Sequence, residues 1–500
     1  MFSKWSDNVF WQWLHPKSGH SRYSALSIKN VRLPDSDPET TWTVICDNGA
    51  VSAVIPYNPN STSLRYELDA EGGILVPSLC HSHIHLDKCF LLDKCEDLKT
   101  GDFAEAMTFT GAAKAAFPSE KDDLMRRGRK LIRDSIECGV TALRAHVEVD
   151  KLAEFSALRM ALQLREEFKE VCYVQIAVFA QEALFDGPHD AEPGHNLNLV
   201  IQALEQESGI EVVGSAPYVE PTVEQAKKNI AIMFELASRF SLHLDFHLDY
   251  NLNPNSEPLI YEVIAQARKF QQYWLSNDKG TPKHRITIGH ATRLQLFTRA
   301  EWQDLVDAIG DLPITFVGLP HSDMYMQGRE FFDAPLGAPR STLRIPQLTK
   351  DYGLEIAMSI NNVQNCFTPQ GFADPLSLCP LGVAIFQSAT KQDIEILMRS
   401  VTITSKLAVG QINLPRNLCP SQGDPADFVI LHGSQTLRDV VLNPPYDRTT
   451  IKAGIVVARR VTKRWLSLHE PFIKPWYRRI PWFYVFVPMT WSYVAYRYMY

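Results

Sequence analysis

The sequence has no Cys-x-x-Cys pair and, at its start, no apolar run of the kind found in signal peptides. Its nine cysteines are scattered and odd in number, which favours free thiols in a reducing compartment over a disulfide framework. The first 17 residues are aromatic and polar rather than continuously apolar. Together these absences predict a cytoplasmic protein.

Blocks of like charge, solenoid-length repeats and low-complexity segments are also missing. With a formal net charge of −7, the chain has no concentrated basic face for phosphates, so we do not expect it to bind nucleic acid. Apolar residues make up 45% and charged residues 21%, as in globular proteins with a large core. The 500 residues suit an α/β barrel of about 250 residues or more plus a smaller module.

Short β-rich runs recur along the chain, separated by longer amphipathic stretches. There are eight such runs, at 73–79, 141–149, 172–180, 211–216, 243–249, 285–290, 314–319 and 355–360. Helical patterns lie between several of them, for example at 121–138 and 223–240. Alternating strands and helices imply a parallel sheet, and eight units predict closure into a (β/α)₈ barrel.

The segments on either side of the barrel have a different pattern of short strands. They lie at 27–31, 42–46 and 51–55 before it, and at 427–431 and 451–459 after it. We expect residues 1–73 and 401–470 to meet in one small β-sandwich, and residues 74–400 to form the barrel.

The last segment, 471–500, is crowded with Trp, Tyr and Phe, and residues 480–496 contain no charge. With two prolines, this stretch is marginal for a spanning helix, whereas Trp and Tyr suit the membrane interface. One interpretation is therefore contact with a membrane surface. The other is a tail that packs on the protein or stays disordered.

The most informative motif is the pair His83 and His85 in the sequence His-Ile-His. Side chains alternate faces along a strand, so both imidazoles project to the same side. His247 and His290 stand at the ends of the fifth and sixth β-rich runs. In such barrels the functional groups come from the carboxyl ends of several strands, so the four histidines predict a site for one divalent metal ion. Imidazole ligands favour zinc or iron over magnesium or calcium.

From about residue 27 to 459 the sequence resembles the cytosine deaminase branch of the amidohydrolase superfamily. The matching stretches are 83–87, 144–149, 175–182, 212–217, 245–249, the segment around His290, 316–320 and 326–329. The resemblance implies that histidines of strands one, five and six serve at the metal, and that Gln181 holds an amide-like edge of a small-molecule substrate. It further implies hydrolysis of a C–N bond in a cyclic amide, urea or aminoheterocycle, with water activated by the ion.

Two positions depart from the family pattern. Where the family has a glutamate three residues after the strand-five histidine, this chain has Tyr250, and the strand-eight aspartate is replaced by Asn361. An amide accepts no proton at neutral pH, and a phenol with a pKa near 10 is a poor base. We therefore expect the chain to be an inefficient cytosine deaminase.

Three interpretations follow from these changes. The first is a hydrolase on another substrate, with Asp249, Glu182 or Asp323 as the base. The second is an inactive barrel that binds a small heterocycle, and the third is a barrel whose histidines are structural and bind no ion. His321 and Asp323, which follow the seventh β-rich run, are further candidates for contacts with the substrate. Lys88 is predicted to be a surface or loop residue.

Overall fold

The computed structural model describes residues 25–61, 66–274, 282–329 and 340–463. The chain divides into two units, Met1–Arg460 and Val461–Tyr500, and the helices and strands given below belong to the first. The aromatic tail 471–500 lies outside the described residues. Among those that are described, no helix has both the length and the apolarity needed to cross a bilayer.

Five strands precede the barrel. They are β1 (Ala25–Val31), β2 (Trp42–Asp47), β3 (Ala50–Pro56), β4 (Tyr66–Asp69) and β5 (Ile74–Pro77). The first four form a sheet of order β3-β2-β1-β4, in which β1 and β4 are parallel and the other pairs are antiparallel. This sheet contains the three strands predicted before the barrel.

The central element is an eight-stranded parallel sheet in chain order. Its strands are β6 (Leu79–His85), β7 (Val140–Glu148), β8 (Tyr173–Ala180), β9 (Ile210–Ser215), β10 (His243–Leu248), β11 (Ile286–His290), β12 (Ile314–Gly318) and β13 (Ile356–Met358). The sheet closes just beyond β13, where the amide of His85 donates to the carbonyl of Asn361 at 2.9 Å. The predicted (β/α)₈ barrel is therefore confirmed.

Helices alternate with these strands and continue after the last of them. The helices of the described residues are Phe103–Lys114, Lys121–Glu137, Ser156–Phe168, His195–Gln206, Val223–Phe240, Ile260–Lys269, Gln271–Trp274, Arg299–Ile309, Pro320–Met326, Ile345–Tyr352, Leu378–Phe386, Lys391–Ser400, Ile403–Ala408 and Leu437–Leu442. Val223–Phe240 has the predicted bounds because the side chain of Thr222 accepts a hydrogen bond from the amide of Gln225 and caps the helix.

The first predicted barrel strand, 73–79, is wrong in its placement. β5 pairs antiparallel with β14 (Phe428–Leu431) in a flanking sheet, and the barrel begins only at Leu79. Pro77 ends β5, and the change of sheet occurs at Ser78. Both pieces are fully buried, so hydrophobicity alone could not tell which sheet each would join.

The strand predicted at 451–459 is a hairpin. It consists of β15 (Arg448–Lys452) and β16 (Ile455–Arg460), joined by Ala453 and Gly454, both with positive φ. Two such residues form the tight turn that the twist of paired strands requires. With β14 and β5, these strands form a sheet of order β16-β15-β14-β5.

The two flanking sheets share one apolar core. It includes Ile28 and Val44 from the first sheet and Leu75, Phe428 and Ile451 from the second. Segments from before and after the barrel thus pack face to face, as a small sandwich requires.

Arg144 ties four barrel strands together in the interior. Its side chain is fully buried and donates to Asp245 Oδ2, Thr287 Oγ1 and Gln175 Oε1, each at 2.7 Å. These partners lie on β10, β11 and β8, while Arg144 itself lies on β7. The ion pair between Arg144 and Asp245 is important for stability, because a buried charge is tolerated only when it is compensated.

In chelator-treated protein, replacing Arg144 by methionine is expected to lower the free energy of unfolding by about 3–5 kcal/mol, because Asp245 loses the cation that compensates its buried charge. Urea unfolding followed by circular dichroism measures this loss. The matched control is Arg159→Met, which breaks an ion pair to Glu207 in which the arginine side chain is 60% exposed. The control should cost less than about 1 kcal/mol, and similar losses for the two variants would contradict the prediction.

Candidate functional site

A cavity opens at the carboxyl ends of the barrel strands. Its lining residues are His85, Lys88, Phe103, Gln181, Tyr218, His247, Tyr250, His290, Ser322, Asn361, Asn362 and Phe367. Four of these residues, Phe103, Tyr218, Tyr250 and Phe367, bound the cavity with aromatic rings. A small flat ring is the kind of ligand that such a slot accommodates.

The four histidines predicted to bind a metal meet in one cluster. The ring centroid of His247 lies 4.3 Å from that of His83, 5.1 Å from that of His85 and 5.3 Å from that of His290. His85, His247 and His290 line the cavity, whereas His83 is fully buried two residues deeper along β6. Strand parity places His83 and His85 on the same face, as predicted.

Two residues that the sequence analysis did not assign to the metal join this cluster. His146 and Asp245 offer ligand atoms that lie, with those of His83 and His247, all within 4.8 Å of one another. Asp245 Oδ1 is 3.2 Å from His146 Nε2 and 4.0 Å from His83 Nδ1. The sequence signal that could have found them is strand parity. Asp245 lies two residues before His247, and His146 lies two residues after Arg144, so each pair shares one face of its strand.

The donor atoms of this cluster fit a cation. Both ring nitrogens of His83, His146 Nδ1 and His247 Nε2 are buried and have no hydrogen-bond partner among the described residues. Buried polar atoms without partners are rare and call for an explanation such as an ion. Arg144 donates to Oδ2 of Asp245, whereas Oδ1 faces the imidazoles, 3.2 Å from His146 Nε2. Three imidazoles and a carboxylate form a donor set that suits zinc or iron.

The protonation of the cluster agrees with this fit. Burial lowers the pKa of His83, His85 and His247 well below the usual value, and the positive charges of neighbouring groups lower it further. These imidazoles are therefore neutral at pH 7, which is the form that binds metal ions.

Tyr250 and Asn361 both line the cavity, but neither offers a base. The Tyr250 ring packs on that of His290 with centroids 3.7 Å apart, and burial raises the phenol pKa well above its usual value. Asn361 Nδ2 donates to Ser322 Oγ at 2.9 Å, while its Oδ1 is buried and has no partner in the part of the chain that the structure describes. A phenol that keeps its proton and an amide cannot take a proton from water.

Asp249 lies outside the lining of the cavity. Its carboxylate accepts hydrogen bonds from the amides of Leu259 and Ile260 at 2.8 and 3.1 Å, at the start of helix Ile260–Lys269. Burial raises its pKa to about 7. Glu182, another candidate base, lies 2.9 Å from Lys114 Nζ and does not line the cavity either. These placements give neither residue contact with a ligand in the cavity.

Asp323 does not line the cavity, but it is hydrogen-bonded to His290, which does. Asp323 Oδ1 accepts a hydrogen bond from His290 Nδ1 at 2.8 Å, and Oδ2 accepts one from Thr342 Oγ1 at 2.7 Å. The pair fixes the orientation of the His290 ring, whose other edge faces the cavity. His321 does not line the cavity, and burial lowers its pKa to about 4.

The prediction for Lys88 is wrong. The residue is buried and lines the cavity, where Nζ lies 2.5 Å from Glu148 Oε1 and 3.4 Å from Gln181 Oε1. Sequence pattern places Lys88 after a strand but does not show that Glu148, at the end of β7, provides an ion-pair partner. Gln181, which the resemblance assigned to the substrate, lines the cavity next to Lys88.

No family model matches the chain. Among curated proteins, it is 20% identical over 401 residues to N-isopropylammelide isopropyl amidohydrolase of Pseudomonas sp. (strain ADP), covering 79% of this chain and 89% of the relative. It is also 22% identical over 437 residues to the pterin deaminase of Rhizobium rhizogenes, covering 87% of this chain and 92% of the relative.

Among solved structures, the chain is similar to 5-methylcytosine deaminase from Klebsiella pneumoniae liganded with 5-fluorocytosine, with a TM-score of 0.74 and 22% identity. The similarity covers 88% of this chain and 99% of the other. The two relatives match 79% and 87% of this chain, and the similarity to the solved structure extends over 88% of it. The chain is thus similar over most of its length to an amidohydrolase and to deaminases, and it shares the fold of the solved structure.

Proposed function

We propose that the protein is a metal-dependent hydrolase that cleaves a C–N bond of a cyclic amide, urea or aminoheterocycle. The observation that carries the proposal is the cluster of buried donor atoms on His83, His146, His247 and Asp245 directly below an aromatic cavity. A zinc or iron ion bound there would act as a Lewis acid and activate water at neutral pH.

Substrate binding follows from the remaining walls. Phe103, Tyr218 and Tyr250 surround the cavity with ring centroids 5.8 to 6.4 Å apart. Such rings bury the faces of a flat heterocycle and leave its edge to polar groups. Gln181 provides one such polar group. The two curated relatives of the chain are an N-isopropylammelide isopropyl amidohydrolase and a pterin deaminase, names that point to nitrogen heterocycles.

Proton transfer is assigned to His290. The two family positions for this task are occupied by Tyr250 and Asn361, and Asp249 and Glu182 lie outside the cavity lining. His290 lines the cavity, and Asp323 holds its Nδ1 proton at 2.8 Å, which leaves Nε2 as the acceptor. This arrangement is that of a general base oriented by a carboxylate.

The test is a screen of zinc- or iron-loaded protein against cyclic amides, ureas and aminoheterocycles, scored by release of ammonia or amine. We expect turnover that a chelator abolishes and that His290→Gln lowers by about 10²- to 10⁴-fold without loss of metal. The control is His195→Gln, an exposed histidine at the start of a helix, which should leave turnover unchanged.

The second candidate function is binding of a heterocycle without turnover, favoured by the replaced acid–base positions at Tyr250 and Asn361. Calorimetry on the same compounds separates the two functions. A compound that binds in the micromolar range but releases no amine over days would replace the hydrolase proposal with the binding one.

A further inference from the structure

Two cysteine side chains, Cys95 and Cys366, contact each other beside the cavity. Cys95 follows the 3₁₀ helix Leu92–Lys94, and Cys366 lies in the loop after β13. The two thiols are hydrogen-bonded to each other. Their segments are also joined by the backbone, because the amide of Leu92 donates to the carbonyl of Gln364 at 3.0 Å. The fold of the barrel mouth thus brings the two sulfur atoms together.

The two thiols differ in exposure and in acidity. Of the nine cysteines, Cys95 and Cys419 are partly exposed, and the other seven, which include Cys366, are buried. The hydrogen bond with Cys366 lowers the pKa of the Cys95 thiol below its ordinary value. By contrast, burial raises the pKa of Cys419 to about 11. Because the thiolate is the reactive form, Cys95 is the cysteine most accessible to chemical attack by an oxidant.

The thiol pair lies behind an aromatic wall of the cavity. Cys95 and Cys366 belong to a small apolar cluster with Phe103 and Phe367, two rings of the cavity lining whose centroids are 5.7 Å apart. Cys366 and Phe367 are neighbours in a tight turn, in which the side chain of Asn365 accepts from the amide of Phe367 at 3.0 Å. A covalent bond at Cys366 would therefore fix the turn that carries Phe367.

We propose that Cys95 and Cys366 are a redox-sensitive thiol pair that hydrogen peroxide or an organic hydroperoxide oxidises to a disulfide. The Cys95 thiolate attacks one peroxide oxygen and becomes a sulfenic acid, while the O–O bond breaks and the other oxygen takes a proton from solvent and leaves as water or an alcohol. The sulfur of Cys366 then attacks that of Cys95 and forms the S–S bond. The Cys366 proton and the hydroxyl group of the sulfenic acid leave together as water.

The disulfide joins the segment after β6 covalently to the turn after β13. The wall formed by Phe103 and Phe367 can then open only if both segments move together, so local opening at the mouth of the cavity becomes slower. Reduction by a dithiol restores the two thiols and the original motion. This redox chemistry requires no metal ion and does not rest on the proposed function.

The experiment treats the reduced full-length chain with hydrogen peroxide and titrates its thiols after denaturation. The number of thiols should fall by two, from nine per chain, and dithiothreitol should restore it. Mass spectrometry should find the peptides of Cys95 and Cys366 joined. In the oxidised protein, hydrogen exchange should become slower in residues 92–109 and 364–371. Exchange in helix Ser156–Phe168, which packs on β7 and β8, should not change.

Three variants separate the two steps. In Cys366→Ser the sulfenic acid at Cys95 has no thiol to condense with, so dimedone, which labels sulfenic acids, should modify Cys95. Cys95→Ser should lose no thiols under the same treatment. The matched control is Cys419→Ser, which removes the other partly exposed cysteine, whose sulfur accepts from the amide of Asp35 at 3.3 Å. This control should still lose two thiols.

Three outcomes would overturn the proposal of a thiol pair. They are a wild type that loses no thiols, a disulfide between other cysteines, and a loss of thiols in Cys95→Ser equal to that of the wild type. A Cys95–Cys366 disulfide that leaves hydrogen exchange unchanged in both mouth segments would overturn its effect on the cavity.

Discussion

Alanine at His83 or at His247 is expected to reduce bound zinc or iron from about one ion per chain to near zero, since each variant removes a buried imidazole from the donor cluster. These two residues belong both to the predicted set of four histidines and to the compact group that the structure shows. Elemental analysis of protein purified without chelator or histidine tag gives the ratio directly.

The remaining donors are tested separately. We expect His146→Ala and Asp245→Asn to weaken zinc affinity by about 10- to 100-fold or more, because each removes or neutralises a donor group of the cluster. His195→Ala serves as the control, since that histidine is exposed and remote in sequence from every donor. Loss of metal in the control would point to unfolding rather than to the site.

A wild-type chain that is folded, free of metal and unable to take up zinc or iron would contradict the whole assignment. The unpartnered atoms of the cluster would then belong to a degenerate barrel. The aromatic cavity would remain as a binding site, and the search for function would move to ligands that need no ion.

Wild-type protein is expected to deaminate cytosine poorly, and the double variant Tyr250→Glu/Asn361→Asp is expected to deaminate it faster. Each restored carboxylate supplies a positioned acid or base, worth on the order of 10² to 10⁴ in rate. Both side chains line the cavity, so the new carboxylates would face the substrate. Ammonia release from cytosine at neutral pH measures the difference in kcat/KM.

The control for this prediction keeps the aromatic side chain at position 250 and introduces no acid or base. Tyr250→Phe retains the ring that packs on His290 but adds no carboxylate, so it should give no gain. Efficient cytosine deamination by the wild type would show that our interpretation of Tyr250 and Asn361 is wrong. An equal gain in Tyr250→Phe would show that the tyrosine hydroxyl merely obstructs the cavity.

The barrel was predictable because its signals are local. A buried parallel strand is a short apolar run, and the period of two along it puts His83 and His85 on one face without knowledge of the rest of the chain. His247 and His290 could be placed by the same logic, because functional groups stand at the carboxyl ends of barrel strands.

The errors arose where the outcome depends on partners far away in sequence. Both halves of 73–79 are apolar, and only pairing with β14, some 350 residues later, assigns β5 to the flanking sheet. Asp249 has the parity of His247, but the backbone turns to positive φ at this residue and its carboxylate caps a helix instead.

The sequence by itself determined the eight-stranded barrel and the histidines at its mouth, because residue type and strand parity are encoded within a few positions. It also supplied the resemblance on which the interpretation of Tyr250 and Asn361 rests. Tertiary structure alone decided that His146 and Asp245 lie beside His83 and His247, and that Asp323 is hydrogen-bonded to His290. It also decided that Lys88 lies inside the cavity. The reason is that burial and charge pairing depend on contacts between residues far apart in sequence, such as Lys88 with Glu148 and His83 with Asp245, which no local pattern records.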